Sequence, residues 1–70
     1  MKTQEKLMLF EEILRVMPNT LTEDTELSTV QEWDSLTILS FQVRLSAINP
    51  DLQFGDLFNC HTVGDICRLI

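Results

Sequence analysis

Seventy residues, 44% of them hydrophobic and with a formal charge of −6, describe one small domain over residues 1–70, near the length below which a core needs economical packing, with little room for an enclosed active site. The acidic balance argues against nucleic acid, whose phosphates would be repelled, and favours partners with basic surfaces. No apolar run approaches the length that spans a bilayer, so no membrane insertion is expected. The first residues are charged and helix-forming rather than a signal peptide, which makes the expectation a cytoplasmic protein whose two cysteines remain thiols.

In chain order, Leu7, Phe10, Leu14 and Met17, with Ile13 alongside, form one face of an amphipathic helix from about Thr3 to Met17. Pro18 stops it, because the residue before proline is pushed out of the helical region, and Asn19 follows as a turn former. Glu11 and Arg15 are spaced as an i, i+4 pair on the solvent side, worth only a few tenths of a kcal/mol.

Residues 19–34 carry Glu23, Asp24, Glu26, Glu32 and Asp34 with no basic residue among them, interrupted by Leu21, Leu27, Val30 and Trp33. A disordered linker would not keep apolar residues at such intervals, so the segment reads as a long ordered loop pinned to the bundle by those four side chains. Calcium binding is not expected, since the oxygen-ligand spacing and central glycine of an EF-hand are missing.

A second helix runs from about Ser35 to Ala47. At 100° per residue Ile38, Phe41, Leu45 and Ile48 gather on one side, while Leu36, Leu39, Val43 and Ala47 gather nearly opposite. A helix of a small bundle needs one apolar face for the core, so the other calls for a ligand, a partner or burial all round. Ile48-Asn49-Pro50-Asp51 ends this helix. A short helical turn follows at Asp56 to Asn59, with Phe54, Leu57 and Phe58 as inward candidates. The last helix is capped by Thr62, carries Asp65 in its first turn and Arg68 near its end, and buries Val63, Ile66, Cys67 and Ile70; Gly64 costs it some stability.

The chemistry these residues could perform alone is limited. Cys60, His61 and Cys67 offer three ligands at a spacing unlike zinc patterns, and Cys67 lies on the buried stripe, where a free cysteine packs as a small hydrophobe, so no metal site is expected. Nucleophilic catalysis at Ser35 would need the lone histidine, His61, as its base, and no oxyanion loop or glycine-rich phosphate cradle accompanies them. Ser35 could serve merely as a helix cap. Asp34 is at least as good a cap, however, which leaves the serine hydroxyl free in the first turn, where backbone amides and the helix dipole favour an anion such as a phosphate ester.

Asp34-Ser35-Leu36 opening the second long helix of a short, acidic, helical chain resembles the acyl carrier protein and peptidyl carrier protein family, and the likeness covers essentially all 70 residues. The resemblance implies an all-α four-helix bundle of the acyl carrier protein type, with three longer helices and a short third. It implies that Ser35 receives 4′-phosphopantetheine from coenzyme A through a separate magnesium-dependent phosphopantetheinyl transferase, with Asp34 as the neighbouring acid that helps hold the transferase's metal. Such a chain is a monomeric carrier rather than an enzyme. It would bear acyl or aminoacyl groups as thioesters between a loading ligase and a downstream synthase or transferase, in fatty acid, polyketide or nonribosomal peptide biosynthesis.

The resemblance also accounts for the second apolar face. Leu36, Leu39, Ser40, Val43 and Ala47 fall where family members dock their partners. Fatty-acid-type carriers generally bear several glutamates along that helix, whereas comparable places here hold Ser40, Ser46 and Ala47, with Arg44 nearby. Docking that is more hydrophobic and less salt-sensitive is therefore expected, in a specialised pathway. Two other readings stay open: a carrier-like interaction module that is never modified, and a small serine hydrolase using Ser35 and His61.

Overall fold

Apolar residues at helical period produce four helices, α1 (Thr3–Leu14), α2 (Ser35–Leu45), α3 (Phe54–Phe58) and α4 (Val63–Cys67), in a computed structural model that describes all 70 residues. A 3-10 turn at Leu27–Thr29 lies in the long loop between α1 and α2, and the β contribution is one isolated bridge between Glu26 and Thr62. This is the expected all-α, four-helix architecture. No helix is long and apolar enough to cross a membrane.

The core is shared by every element. Phe10 and Leu14 come from α1, Ile38, Phe41 and Leu45 from α2, Leu57 from α3, and Val63, Ile66 and Cys67 from α4. The loop adds Leu21 and Leu27 as buried residues, with Val30 and Trp33 packed against the cluster at partial burial, so all four side chains expected to pin it do so. The Phe10 and Phe41 rings lie 5.5 Å apart, and Trp33 meets Phe41 edge-on at 5.0 Å, contacts worth about 1 kcal/mol each beyond burial.

Helix α1 ends three residues earlier than the apolar spacing suggests. Arg15 adopts the left-handed conformation, φ 60°, and its N–H bonds back to the carbonyls of Glu11 and Glu12; Met17 is exposed. The cause is Glu11, which is buried rather than solvent-facing and whose Oε2 accepts the N–H of Leu21 at 2.9 Å. The chain must turn back before Pro18 to bring Leu21 into the core, so no Glu11–Arg15 ion pair forms. The acid–base contact nearby is Arg44 to Glu12, 4.0 Å apart across α1 and α2 with both side chains largely exposed, a geometry that contributes little.

Helix α2 closes at Leu45, and Ser46 caps it. Ala47 and Ile48 therefore belong to the following turn, in which the N–H groups of Ile48 and Asn49 both reach the Leu45 carbonyl. Ile48 is exposed instead of lying on the core face, because the 100° step no longer applies beyond the helix, and Leu52 fills the core there.

Helix α3 starts two residues before the expected turn. Asp56 Oδ2 accepts the Gln53 N–H at 2.9 Å and so defines the start. Leu57 is buried, but Phe54 and Phe58 are not inward residues: one turn apart, they stack on each other at 6.1 Å on the outer surface. A helix this short docks through one side chain.

Helix α4 has the expected cap, with the Asp65 N–H donating to Thr62 Oγ1 at 3.2 Å and Asp65 Oδ2 accepting from the Thr62 and His61 amides. It is as short as α3, because the chain tightens after Cys67 and Leu69 N–H bonds to the Ile66 carbonyl. The last carbonyls find side-chain donors, Lys6 Nζ for Cys67 and Asn49 Nδ2 for Leu69. At its other end, Val63 and Gly64 donate to the carbonyls of Thr25 and Glu23, while Leu27 N–H returns to the His61 carbonyl. The first amides of α4 thus hold the acidic loop that leads into α2.

Candidate functional site

The approach to α2 is extended at Asp34, φ −130° and ψ −178°, and Asp34 Oδ1 accepts the Thr37 N–H at 2.9 Å. That amide is the main reason the Asp34 carboxyl is held below the usual carboxylate range. Asp34 therefore takes the capping role, and Ser35 follows as the first helical residue, exposed and with no hydrogen-bond partner for its hydroxyl. The N–H groups of Ser35 and Leu36 also lack backbone partners.

These features suit a phosphate ester. A primary hydroxyl stands free at the positive end of an 11-residue helix, beside first-turn amides that make no backbone hydrogen bond. The other three serines are placed differently. Ser40 Oγ donates to the Leu36 carbonyl and Ser46 Oγ to the Val43 carbonyl, while Ser28 sits inside the 3-10 turn.

Outward from Ser35, the solvent side of α2 carries Leu36 and Val43 at 77% and 62% exposure, with Leu39 and Ser40 exposed between them. Ala47 is exposed too, but past the helix end. Ile38, Phe41 and Leu45 are buried opposite, so the two faces are assigned as the spacing indicates. Arg44 is the sole charged residue on α2.

Two hollows adjoin the loop that enters α2. The larger, about 730 Å³, lies between the end of α1 and α2 and is lined by Glu12, Ile13, Leu14 and Arg15 on one wall, Thr37, Leu39, Ser40, Val43 and Arg44 on the other, and Glu32 and Asp34 at the loop end. The smaller, about 350 Å³, lies between the loop and the segment joining α3 to α4, with Glu26, Leu27, Ser28 and Trp33 facing Cys60, His61 and Thr62. Neither was apparent as a site from the spacing of apolar residues, although the polar–apolar alternation of Glu32, Trp33 and Asp34 was a signal that successive side chains face opposite ways.

No hydrogen bond joins His61 to Ser35; His61 lines the smaller hollow, and its backbone N–H serves the α4 cap. Cys60 is half-buried, donates to the Asp56 carbonyl, and has its thiol pushed up to about 11, by burial first and then by Asp65 and Asp56. Burial also raises the Cys67 thiol. Neither cysteine is suited to thiolate chemistry at neutral pH. No group of three His, Cys, Asp or Glu side chains is placed to hold a metal ion.

A family model described as a phosphopantetheine attachment site matches residues 7–70. Comparisons with curated proteins and with solved structures find no match.

Proposed function

The chain belongs to the phosphopantetheine-attachment-site family, and from that premise we propose that Ser35 is the residue to which 4′-phosphopantetheine is joined. Domains of this family serve as carriers through that group and are generally non-catalytic themselves. The observation that supports Ser35 is the division of labour at the start of α2: Asp34 caps the helix through Thr37, leaving the neighbouring hydroxyl exposed and unbonded. A separate transferase would supply the arm from coenzyme A, and the ionised Asp34 carboxylate beside the hydroxyl is the group to help hold that enzyme's magnesium.

The cargo in this reading is an acyl or aminoacyl thioester, passed between a loading ligase and a downstream synthase or transferase. Attachment raises the local concentration of substrate at each docked enzyme. Docking uses Leu36, Leu39, Ser40 and Val43, extended by Ala47 at the turn. Because Arg44 is the lone charge on α2, this contact depends on apolar burial more than on ion pairs and resists salt accordingly. The carrier acts as a monomer in the cytoplasm.

The test is intact mass after incubation with coenzyme A and a phosphopantetheinyl transferase. Wild type and Ser40→Ala should each gain one phosphopantetheine, and Ser35→Ala none. A wild-type chain left unmodified by several transferases would overturn the assignment. The exposed Leu36–Val43 stripe favours a second reading, an interaction module that needs no arm; a partner that binds Ser35→Ala and wild type equally would support it.

A further inference from the structure

The larger hollow takes in two members of a row of α2 side chains that begins at Ser35. Four residues advance a helix by about 6 Å and carry it about 40° past a full turn, so the row Ser35, Leu39, Val43 climbs α2 at a slant. Leu39 and Val43 both line the α1-side hollow, as does Asp34 immediately before the serine. A substituent on Ser35 that follows this row therefore runs into the hollow. The smaller hollow holds no α2 residue and carries Glu26, and Leu36, about 100° around the helix from Ser35, lines neither.

The lining suits a neutral chain of alternating apolar and amide groups. Helix α1 contributes the half-buried Ile13 and the buried Leu14, and α2 contributes Leu39 and Val43. The charged residues, Glu12, Arg15, Glu32, Asp34 and Arg44, all lie exposed. Their one ion pair, Arg44 to Glu12, is 4.0 Å long and largely solvated, so both guanidinium groups retain donors for a carbonyl. Ser40 Oγ spends its proton on the Leu36 carbonyl and can accept from an N–H. At about 730 Å³, the hollow falls within the range of about 300–1,000 Å³ typical of small-molecule sites.

Resting on the assignment of Ser35 above, we propose that the attached arm lies along α2 in the α1-side hollow, covering Leu39 and Val43 until a partner enzyme docks. The gem-dimethyl carbons, next to the phosphate, pack on Leu39, one turn from Ser35. The amides that follow pass Val43, where their carbonyl and N–H groups meet Arg44 and Ser40. Burial of the exposed Leu39 and Val43 side chains is what favours the resting position. Arm and partner enzyme share those two side chains, so docking frees the arm at the place where its thioester is to be received.

The test compares methyl-labelled wild type before and after loading from coenzyme A, with intact mass confirming the arm. Loading should produce nuclear Overhauser contacts from the gem-dimethyl protons to the Leu39 and Val43 methyls and shift the Ile13 methyl signals. With a soluble gadolinium chelate as probe, the paramagnetic relaxation of the Leu39 and Val43 methyls should fall by half or more on loading. That of Met8, exposed and outside the hollow, should stay constant. Ser35→Ala treated in the same way should show none of these changes. A loaded chain whose Leu39 and Val43 methyls stay as open to the probe as before and make no arm contacts, or whose arm contacts Trp33 or Phe58 instead, overturns the inference while leaving the carrier reading intact. A chain that accepts no arm overturns both.

Discussion

The Gly64 amide donates to the Glu23 carbonyl at 2.9 Å, and a Cβ on Gly64 would lie 2.9 Å from that same oxygen. The glycine that looks like a weakness in α4 is what lets the acidic loop lie against the helix start. Gly64→Ala adds about 1 kcal/mol of helix propensity but forces the new methyl group against the Glu23 carbonyl, at a cost of about 1–3 kcal/mol. A net loss of stability is expected, visible as a lower urea midpoint; equal or higher stability would show that the loop can move away at little cost.

Glu11 holds the loop at its other end through Leu21. In Glu11→Ala the buried Leu21 N–H loses its acceptor, for which about 1–3 kcal/mol is expected. Glu11→Gln keeps an oxygen in place and should lose less. Thermal melts of the two variants side by side measure the difference, and equal losses would mean that packing rather than the hydrogen bond is responsible.

Asp65 gives stability a definite acid dependence. The amides of His61 and Thr62, and then Arg68, hold its carboxyl down to about 2, below the ordinary unfolded value of about 3.9. The folded state thus binds its proton later than the unfolded state does. The resulting stabilisation is fully present above the unfolded value and is lost as pH falls from there through about 2. Asp65→Asn should flatten this part of the stability–pH curve in urea titrations, and an unchanged acid limb would remove Asp65 as its source.

The two faces of α2 predict opposite consequences of substitution. Leu39→Glu and Val43→Glu place charge on exposed positions and should change unfolding free energy by less than about 0.5 kcal/mol while impairing transfer of cargo by partner enzymes. Phe41→Ala empties a fully buried site between Phe10 and Trp33 and should cost about 3–5 kcal/mol. Unfolding of the glutamate variants would reverse the assignment of the faces.

Thiol labelling separates the two cysteines. Cys60 is partly accessible but its thiol is raised to about 11, and Cys67 is buried with a raised thiol. At pH 7.5 iodoacetamide should modify Cys60 slowly and Cys67 only when the protein unfolds, as mass spectrometry of peptides would show. Rapid labelling of Cys67 in the native state would reveal local opening of α4.

What the sequence by itself determined were features whose causes lie within three or four residues. Asp34 capping α2 and freeing Ser35, the Thr62–Asp65 cap of α4, and the division of α2 into a face with Phe41 and a face with Val43 all follow from helical period and local hydrogen bonding. The family likeness rested on that same local signature. What only the tertiary structure decided depended on residues distant in the chain. Glu11 reads as a surface residue until Leu21 returns to it, and α1 stops where that return begins. Ile48 yields its core place to Leu52 once α2 has ended, and Phe54 and Phe58 turn outward because Leu57 alone reaches the core. Gly64 is explained only by Glu23, forty-one positions before it. Periodicity describes one element at a time, whereas the placement of the loop that leads into Ser35 was decided by its hydrogen bonds to the start of α4.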